Sequence, residues 1–398
     1  KRDPRNTNVR IIHDSLNMIF ALFKIRLNQF SGVIADKPFD ISAETDSSTY
    51  RQDIPHNHAP PMKILVTGGA GFIGSHTVVE LAQAGHTPII LDNFSNSQPS
   101  ILDGIKDILG YRPTLHTGLH ESGIPYFGLR AVNIDVISHV AALKAVVVSL
   151  EQPLRYYRNN IGSLVDLLDM ALHHGVRAFV FSSSATVYGT PDMLPIPETA
   201  PRKPATSPYG NTKQIGEDIL RDTTAMANGI LRSSALRYFN PIGAHPSGLI
   251  GELPLGTPNN LVPYLMQTAA GKRTTLTVFG NDYPTPDGTG IRDFIHVVDL
   301  AQAHISTLES LFAAQESPET FTVYNVGTGK GTSVKELIGT FERVTGITIP
   351  YTVGSRRPGD IAACYADPQK IKKELKWEAK LSLAQALEDA WRWQQNLK

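Results

Sequence analysis

The chain predicts a doubly wound α/β fold on a parallel sheet, followed by a smaller C-terminal domain. Three observations carry this. From Lys63 onward, short apolar runs alternate with helical stretches, the pattern of a parallel sheet covered on both faces. A glycine-rich turn, Gly68-Gly69-Ala70-Gly71-Phe72-Ile73-Gly74, directly follows the first run. Beyond about Asn240 the chain turns loopier, with many Pro and Gly.

In chain order, Lys63–Thr67 (KILVT) reads as the first strand and Ser75–Ala84 as the first helix. Thr87–Leu91 is a second strand. Asp135–Ala141, Ala178–Ser182 and Ser234–Arg237 are further apolar runs, separated by helical stretches such as Ser163–His174 and Lys213–Ala227. Phe321–Val326 reads as a late strand, so a segment near 292–326 is expected to return to the sheet. The expected division is an N-terminal extension over 1–61, a dinucleotide-binding domain over 62–240 and a second, ligand-binding domain over 241–398. Residues 1–61 differ from the rest: Ile11 to Phe30 mixes apolar residues with Arg10, Lys24 and Arg26, and the stretch from Asp36 is polar and turn-rich. Such a basic, amphipathic start fits a targeting peptide. The plainer expectation is a poorly ordered extension, since Met62 sits directly before the first strand.

Composition narrows the function classes. The 398 residues suffice for two domains. Lys+Arg and Asp+Glu are 37 each, so no basic excess points to nucleic acid or an anionic membrane. A single cysteine, Cys364, rules out an intrachain disulfide and fits a reducing compartment such as the cytoplasm. No apolar run reaches the roughly 18 residues of a membrane span. No metal site is expected.

The glycine turn has the spacing G-x-x-G-x-x-G. Between a strand and a helix it lets backbone amides approach a pyrophosphate at the helix N-terminus. Asp92, at the end of the second strand, suits an adenosine ribose hydroxyl and would repel a 2′-phosphate, so NAD is expected over NADP. The alternative is a turn capped by Asp92 with Asn93. The expected fold is therefore Rossmann-like. The run Ala178–Tyr188 (AFVFSSSATVY) ends in three hydroxyls, with Ser184 placed to reach a ligand in the crevice at the strand ends. Tyr209 and Lys213 lie four apart and share a helix face. A nearby cation favours a phenolate, whose free pKa is near ~10, and the pair is a route to an oxygen base at neutral pH.

Taken together, the glycine loop with Ser184, Tyr209 and Lys213 resembles the extended short-chain dehydrogenases/reductases, and most closely their nucleotide-sugar 4-epimerase branch. The resemblance covers about Met62 to the C-terminus. Its signatures are TGGAGFIGSH from Thr67, SSSATVYG from Ser182, SPYGNTK from Ser207, RYFNPIGAHPSG from Arg237, PNNLVPY from Pro258, FGNDYPTPDGTGIRDFIHVVDL from Phe279 and RRPGD from Arg356. It implies reversible NAD-dependent epimerisation at C4 of a UDP-hexose through a 4-keto sugar, with Tyr209 as base, Lys213 depressing its pKa and Ser184 bonding the C4 oxygen. Gly68, Gly71, Phe72, Ile73, Gly74, Asp92, Asn93, Ala141, Lys144, Asn160 and Tyr238, with Tyr209 and Lys213, match cofactor-side positions. Asn240, Asn260 and Leu261 match contacts near the diphosphate and uracil, Phe279 would flank the uracil, and Arg292, Arg357 and Asp360 would clamp the diphosphate and ribose. Cys364 stands where the family carries either a large Tyr or a small residue, which implies room for a 2-acetamido group. A homodimer is also implied. Competing readings are a nucleotide-sugar dehydratase or decarboxylase, or a weakly active or silent homologue.

Two places depart from the family pattern. Leu119 falls where an adenine-contacting Asp is usual, in a segment whose next expected helix, Glu121 to Asn133, is interrupted by Gly123, Pro125 and Gly128. Val146-Val147-Val148-Ser149 replaces a polar Gly-Glu-Ser approach. Both put adenine affinity in question.

Overall fold

The computed structural model describes residues 60–118, 133–314, 318–357 and 359–397. In chain order these form β1 (Lys63–Thr67), α1 (Phe72–Gln83), β2 (Thr87–Asp92), α2 (Ile101–Leu109), β3 (Thr114–Thr117), β4 (Val136–His139), α3 (Val146–Glu151), α4 (Pro153–His174), β5 (Ala178–Ser184), α5 (Pro208–Met226) and β6 (Arg232–Tyr238). The chain continues with β7 (Asn240–Ile242), α6 (Leu261–Ala269), β8 (Leu276–Phe279), β9 (Ile291–Arg292), β10 (Phe294–His296), α7 (Val297–Ala313), β11 (Phe321–Val326), β12 (Thr332–Ser333), α8 (Val334–Thr345), β13 (Tyr351–Gly354), β14 (Ala363–Cys364), α9 (Gln369–Leu375) and α10 (Leu383–Asn396).

Seven strands form one sheet in the order β11-β6-β5-β4-β1-β2-β3, every neighbouring pair parallel. A parallel sheet needs apolar side chains on both faces, and β1 supplies them by alternation. Ile64 and Val66 pack with Val78, Leu81, Ile105 and Leu300 of α1, α2 and α7. Leu65 packs on the opposite face with Leu164, Leu167 and Leu220 of α4 and α5. Each such side chain, fully buried, stabilises the fold by about 1.5–3 kcal/mol. The late strand β11 returns to the sheet and pairs with β6 along its whole length. Strand order reverses between β1 and β4, and the crevice above that reversal is where such sheets bind ligands.

A third apolar cluster, with Leu265, Val278, Phe341 and Leu387, ties α6, β8, α8 and α10 together. It supports two small ladders, β13-β8 and β12-β9-β14, which carry the far wall of the crevice.

Several elements begin earlier than the hydrophobic pattern alone predicts. Helix α4 starts at Pro153 rather than Ser163, because proline at the first helical position loses no needed donor. Helix α5 starts at Pro208 rather than Lys213: Ser207 caps it, its hydroxyl accepting from the Gly210 amide at 3.1 Å. Helix α1 starts at Phe72 rather than Ser75, so the last glycine of the turn is helical. Strands β5 and β6 run to Ser184 and Tyr238, beyond the expected Ser182 and Arg237. Strand β4 is shorter than expected, ending at His139 rather than Ala141. Val146–Glu151 is helical. Leu119, the 121–132 stretch and residues 1–59 lie outside the described residues.

Candidate active site

At the sheet's reversal point the loops after β1 and β4 touch. Gly68 has φ +68°, and a Cβ there would fall 2.9 Å from the Ala141 backbone, so a residue with a side chain would separate them. At Gly74 a Cβ would lie 2.0 Å from the Gly68 carbonyl oxygen. The turn is closed by Gly71 N–H donating to Gly68 O at 2.9 Å and Gly68 N–H donating to Leu91 O at 2.8 Å. Helix α1 has no side-chain cap, and the first bond of its ladder runs from Ser75 N–H to Gly71 O. The amides of Phe72, Ile73 and Gly74 therefore have no intrahelical acceptor. An uncapped helix start beside a glycine turn suits a pyrophosphate.

Asp92, buried at the end of β2, both shapes this turn and faces the crevice. Its Oδ2 accepts from Ala70 N–H at 2.9 Å, and its Oδ1 from Phe94 N–H at 2.8 Å and Ser97 Oγ at 2.9 Å. The turn-capping alternative thus holds too. A carboxylate has about four acceptor sites, so Oδ2 keeps one for a ligand hydroxyl. Asn93 borders the crevice and accepts from Ser95 N–H at 3.0 Å. The residues present fit a dinucleotide.

Asn160 is buried on α4 and ties the cofactor-side loop to its neighbours. Its amide donates to Leu143 O at 3.0 Å and Thr212 Oγ1 at 3.1 Å, while its Oδ1 accepts from Leu143 N–H at 2.9 Å. It pins the Ala141–Lys144 loop to α5. Thr67 helps, accepting from Ala141 N–H at 3.3 Å and bonding His139 at 2.7 Å.

The reactive trio converges where β5 ends and α5 begins. Lys213 is buried and donates from Nζ to the Ser182 carbonyl at 2.6 Å. Its Nζ stands 5.7 Å from the centre of the Tyr209 ring. The Ser184 hydroxyl lies beside the half-buried Tyr209 side chain and favours its ionised form. The expected lowering of the Tyr209 pKa is not met in the protein alone. Burial pushes the phenol up to about 12, against the opposing Ser184 hydroxyl. Burial likewise pushes Lys213 down to about 7, opposed by the Glu217 charge. Desolvation outweighs the partner here, and a further positive charge is needed to make the phenolate. Beneath Lys213, Glu217 is fully buried and held by Arg237 through two bonds, at 2.9 and 2.7 Å, and by Ser183 Oγ at 2.6 Å.

The crevice is a cavity of about 1340 Å³, larger than the ~300–1,000 Å³ typical of one small ligand. It runs from Gly68 and Asp92 past Ser184 and Tyr238 to Arg292 and Arg357. Tyr238 is buried, with its hydroxyl on His304. On the far wall, Asn240 is fixed by its N–H to Asp293 O at 2.9 Å. Asn260 and Leu261 open α6. Phe279 is 37 % exposed with the Arg357 guanidinium 4.0 Å from its ring centre, a cation–π pair that presents both groups to the cavity. Arg292 donates to Ile361 O at 2.9 Å and pairs with Asp360 at 3.3 Å. Cys364, on β14 beside Arg292, lines the cavity as a small buried group. Burial pushes its thiol up to about 11, so it is an inert wall.

Sequence reasoning missed Glu252, Phe239 and Tyr283, which also line the cavity, and the Arg237–Glu217 pair behind Lys213. Arg237, Phe239 and Tyr283 lie within the quoted signatures, but no spacing there shows what each faces, and Glu252 and Glu217 lie in none of them.

Fold and site together define a class: dinucleotide-dependent enzymes of the extended short-chain dehydrogenase/reductase kind. The family model described as GDP-mannose 4,6 dehydratase matches residues 65–390. Within this class the chain belongs to the UDP-glucose 4-epimerase family. It is 50% identical over 334 residues to the UDP-glucose 4-epimerase of Bacillus subtilis, covering 84% of this chain and 97% of the relative. It is 46% identical over 339 residues to that of Homo sapiens, covering 83% and 96%. Two solved UDP-glucose 4-epimerases superpose with a TM-score of 0.80 at 45% identity, covering 84% of this chain and 98% of each. The Stenotrophomonas maltophila structure holds NAD and formylated UDP-arabinopyranose; the Bifidobacterium longum structure holds NAD+ and UDP.

Proposed function

We propose that this chain is an NAD-dependent epimerase that inverts C4 of UDP-hexoses, interconverting UDP-galactose and UDP-glucose as in galactose metabolism. The observation that carries the reading is the meeting of Ser184, Tyr209 and Lys213 beside one cavity that also holds an uncapped glycine turn and an arginine-bearing wall. NAD, when bound, would supply a reversible hydride acceptor. Tyr209 takes the C4 hydroxyl proton and later returns it. Ser184 holds the C4 oxygen and the phenol in one hydrogen-bonded line. Lys213, anchored on the Ser182 carbonyl, stabilises the phenolate, and Arg237 keeps Glu217 from neutralising that cation. Phe279 with Arg357, and Arg292 with Asp360, grip the nucleotide, so that the sugar, held by fewer groups, turns over between the two transfers. A dehydratase would need an added acid/base pair beside Ser184; the neighbours Ala185 and Thr186 offer none.

The same reading gives the cofactor to the half before about residue 240 and the nucleotide sugar to 241–398. With Cys364 as the small wall residue, UDP-N-acetyl hexoses are substrates as well. A homodimer is supported by Leu154 and Val165, 73% and 47% exposed on one side of α4. A single cysteine fits a reducing compartment such as the cytoplasm. A coupled assay of UDP-galactose conversion, with and without added NAD, tests the reading. Tyr209→Phe is expected to lower kcat by about 10²–10⁴-fold; activity surviving that change removes Tyr209 from the proton transfer.

A further inference from the structure

Glu252 stands in the cavity wall between the two ligand halves, and no motif singles it out. One of its oxygens, Oε1, accepts from Lys144 Nζ at 3.1 Å and from Asn260 Nδ2 at 2.7 Å. Lys144 belongs to the loop after β4, on the cofactor side; Asn260 precedes α6, on the nucleotide-sugar side. The carboxylate is largely buried, with 12 % of its side chain exposed against 45 % for Lys144. Its backbone cannot retreat. The Glu252 carbonyl accepts from the Trp393 indole N–H at 3.1 Å. The preceding Gly251 pairs with Ala244, and a Cβ on it would meet the Trp393 ring at 2.4 Å. A fixed carboxylate thus shares one acceptor atom between two donors that the proposed function assigns to different ligands.

We propose that Glu252 is a positioning residue that interlocks the two halves of the cavity. The inference rests on the NAD and UDP-sugar reading above. When an anionic cofactor engages the Lys144 ammonium, Glu252 loses its cation and its full charge falls on the Asn260 amide. A charged acceptor makes a stronger, better-directed hydrogen bond than a shared one. Asn260 is then held in a single orientation, with its own carbonyl oxygen free for the incoming nucleotide sugar. The ordering cost is met before the second ligand arrives, which is how preorganisation raises affinity. The loaded site therefore takes UDP-sugar more tightly than the empty one, favouring the productive order of binding.

The test is a linkage cycle by titration calorimetry, with UDP and NAD as the probes. UDP affinity is measured on NAD-loaded and NAD-stripped protein, and NAD affinity with and without saturating UDP. In the wild type each ligand is expected to tighten the other by at least about fivefold, with the same factor from both directions. Glu252→Ala brings that factor close to one while both ligands still bind singly. Glu252→Gln keeps an acceptor for Asn260 but loses the charge, and falls between. The interlock is overturned if Glu252→Ala keeps the wild-type factor, if the wild type binds both ligands without coupling, or if the coupling is negative. A wild type that binds neither NAD nor UDP overturns the proposed function, and the interlock with it.

Discussion

The two walls of the cavity are built by opposite means. The cofactor wall is made of backbone. Gly68, Gly71 and Gly74 bring chain against chain with no room for a Cβ at Gly68 or Gly74, on a sheet covered on both faces. The far wall is made of side chains on short ladders and loops: Phe279, Arg292, Arg357 and Asp360, paired with one another and partly exposed. A backbone wall holds one ligand in one pose, because its donors cannot move. Under the proposed function, a wall of paired charges would grip a diphosphate and leave the sugar beyond it less constrained. Epimerisation needs both properties in one cavity, since the cofactor must stay while the sugar turns.

Acid is expected to have the largest effect, acting through three histidines of the sheet half and through His245 beyond it, which burial pushes down to about 4. His76 on α1, His139 on β4 and His304 on α7 are buried in the sheet half, and burial pushes each down to about 3. Unfolded histidine titrates near ~6.5. The unfolded state therefore binds more protons below that pH, and the stability these residues lend is complete above about 6.5 and lost as pH falls toward 3. Glu80, pushed up to about 7 by burial, works the other way over its own range. The net expectation is a steep fall in Tm between pH 6.5 and 4 in thermal scans. A flat Tm across that range would mean that the sheet half does not carry its histidines neutral.

A single added methyl group should then break the cofactor wall. Gly74→Ala puts a Cβ onto the Gly68 carbonyl, a collision with backbone that no rotamer relieves. Overpacking of this kind costs about 1–3 kcal/mol, or roughly five- to 150-fold in NAD affinity if it falls on the bound state. Fluorescence titration of NAD reads this directly, and unchanged affinity would show that the turn yields. The far wall should tolerate change better and respond in selectivity. Cys364→Tyr fills the cavity beside Arg292 and is expected to lower kcat/KM for UDP-N-acetylgalactosamine by about tenfold or more, at the scale of a steric clash of ~1–3 kcal/mol, with less effect on UDP-galactose. Equal losses on both sugars would sever Cys364 from the 2-position.

What was legible in the sequence follows the same division. The glycine turn, Asp92, Ser184 and the Tyr209/Lys213 spacing are local features, and local spacing fixes which groups share a turn or a helix face. The sheet strands were readable because each is a short apolar run with both faces buried. The sequence pattern did not reveal Arg237 on Glu217, Glu252 between Lys144 and Asn260, or Tyr238 on His304. These partners come from separate elements, brought together only by the parallel crossovers. The upward push on the Tyr209 phenol in the protein alone was not legible for a related reason. Spacing shows the cation beside the phenol, whereas burial, which dominates the phenol's shift, is a property of the whole fold.

The central claim is that the C4 hydrogen leaves the sugar and returns to it within one cavity. Converting UDP-galactose deuterated at C4 and reading the product by NMR tests this most directly. The account predicts UDP-glucose with the deuterium retained at C4 and no net NADH released. Deuterium exchanged into water, or a product that keeps its C4 configuration, would contradict it.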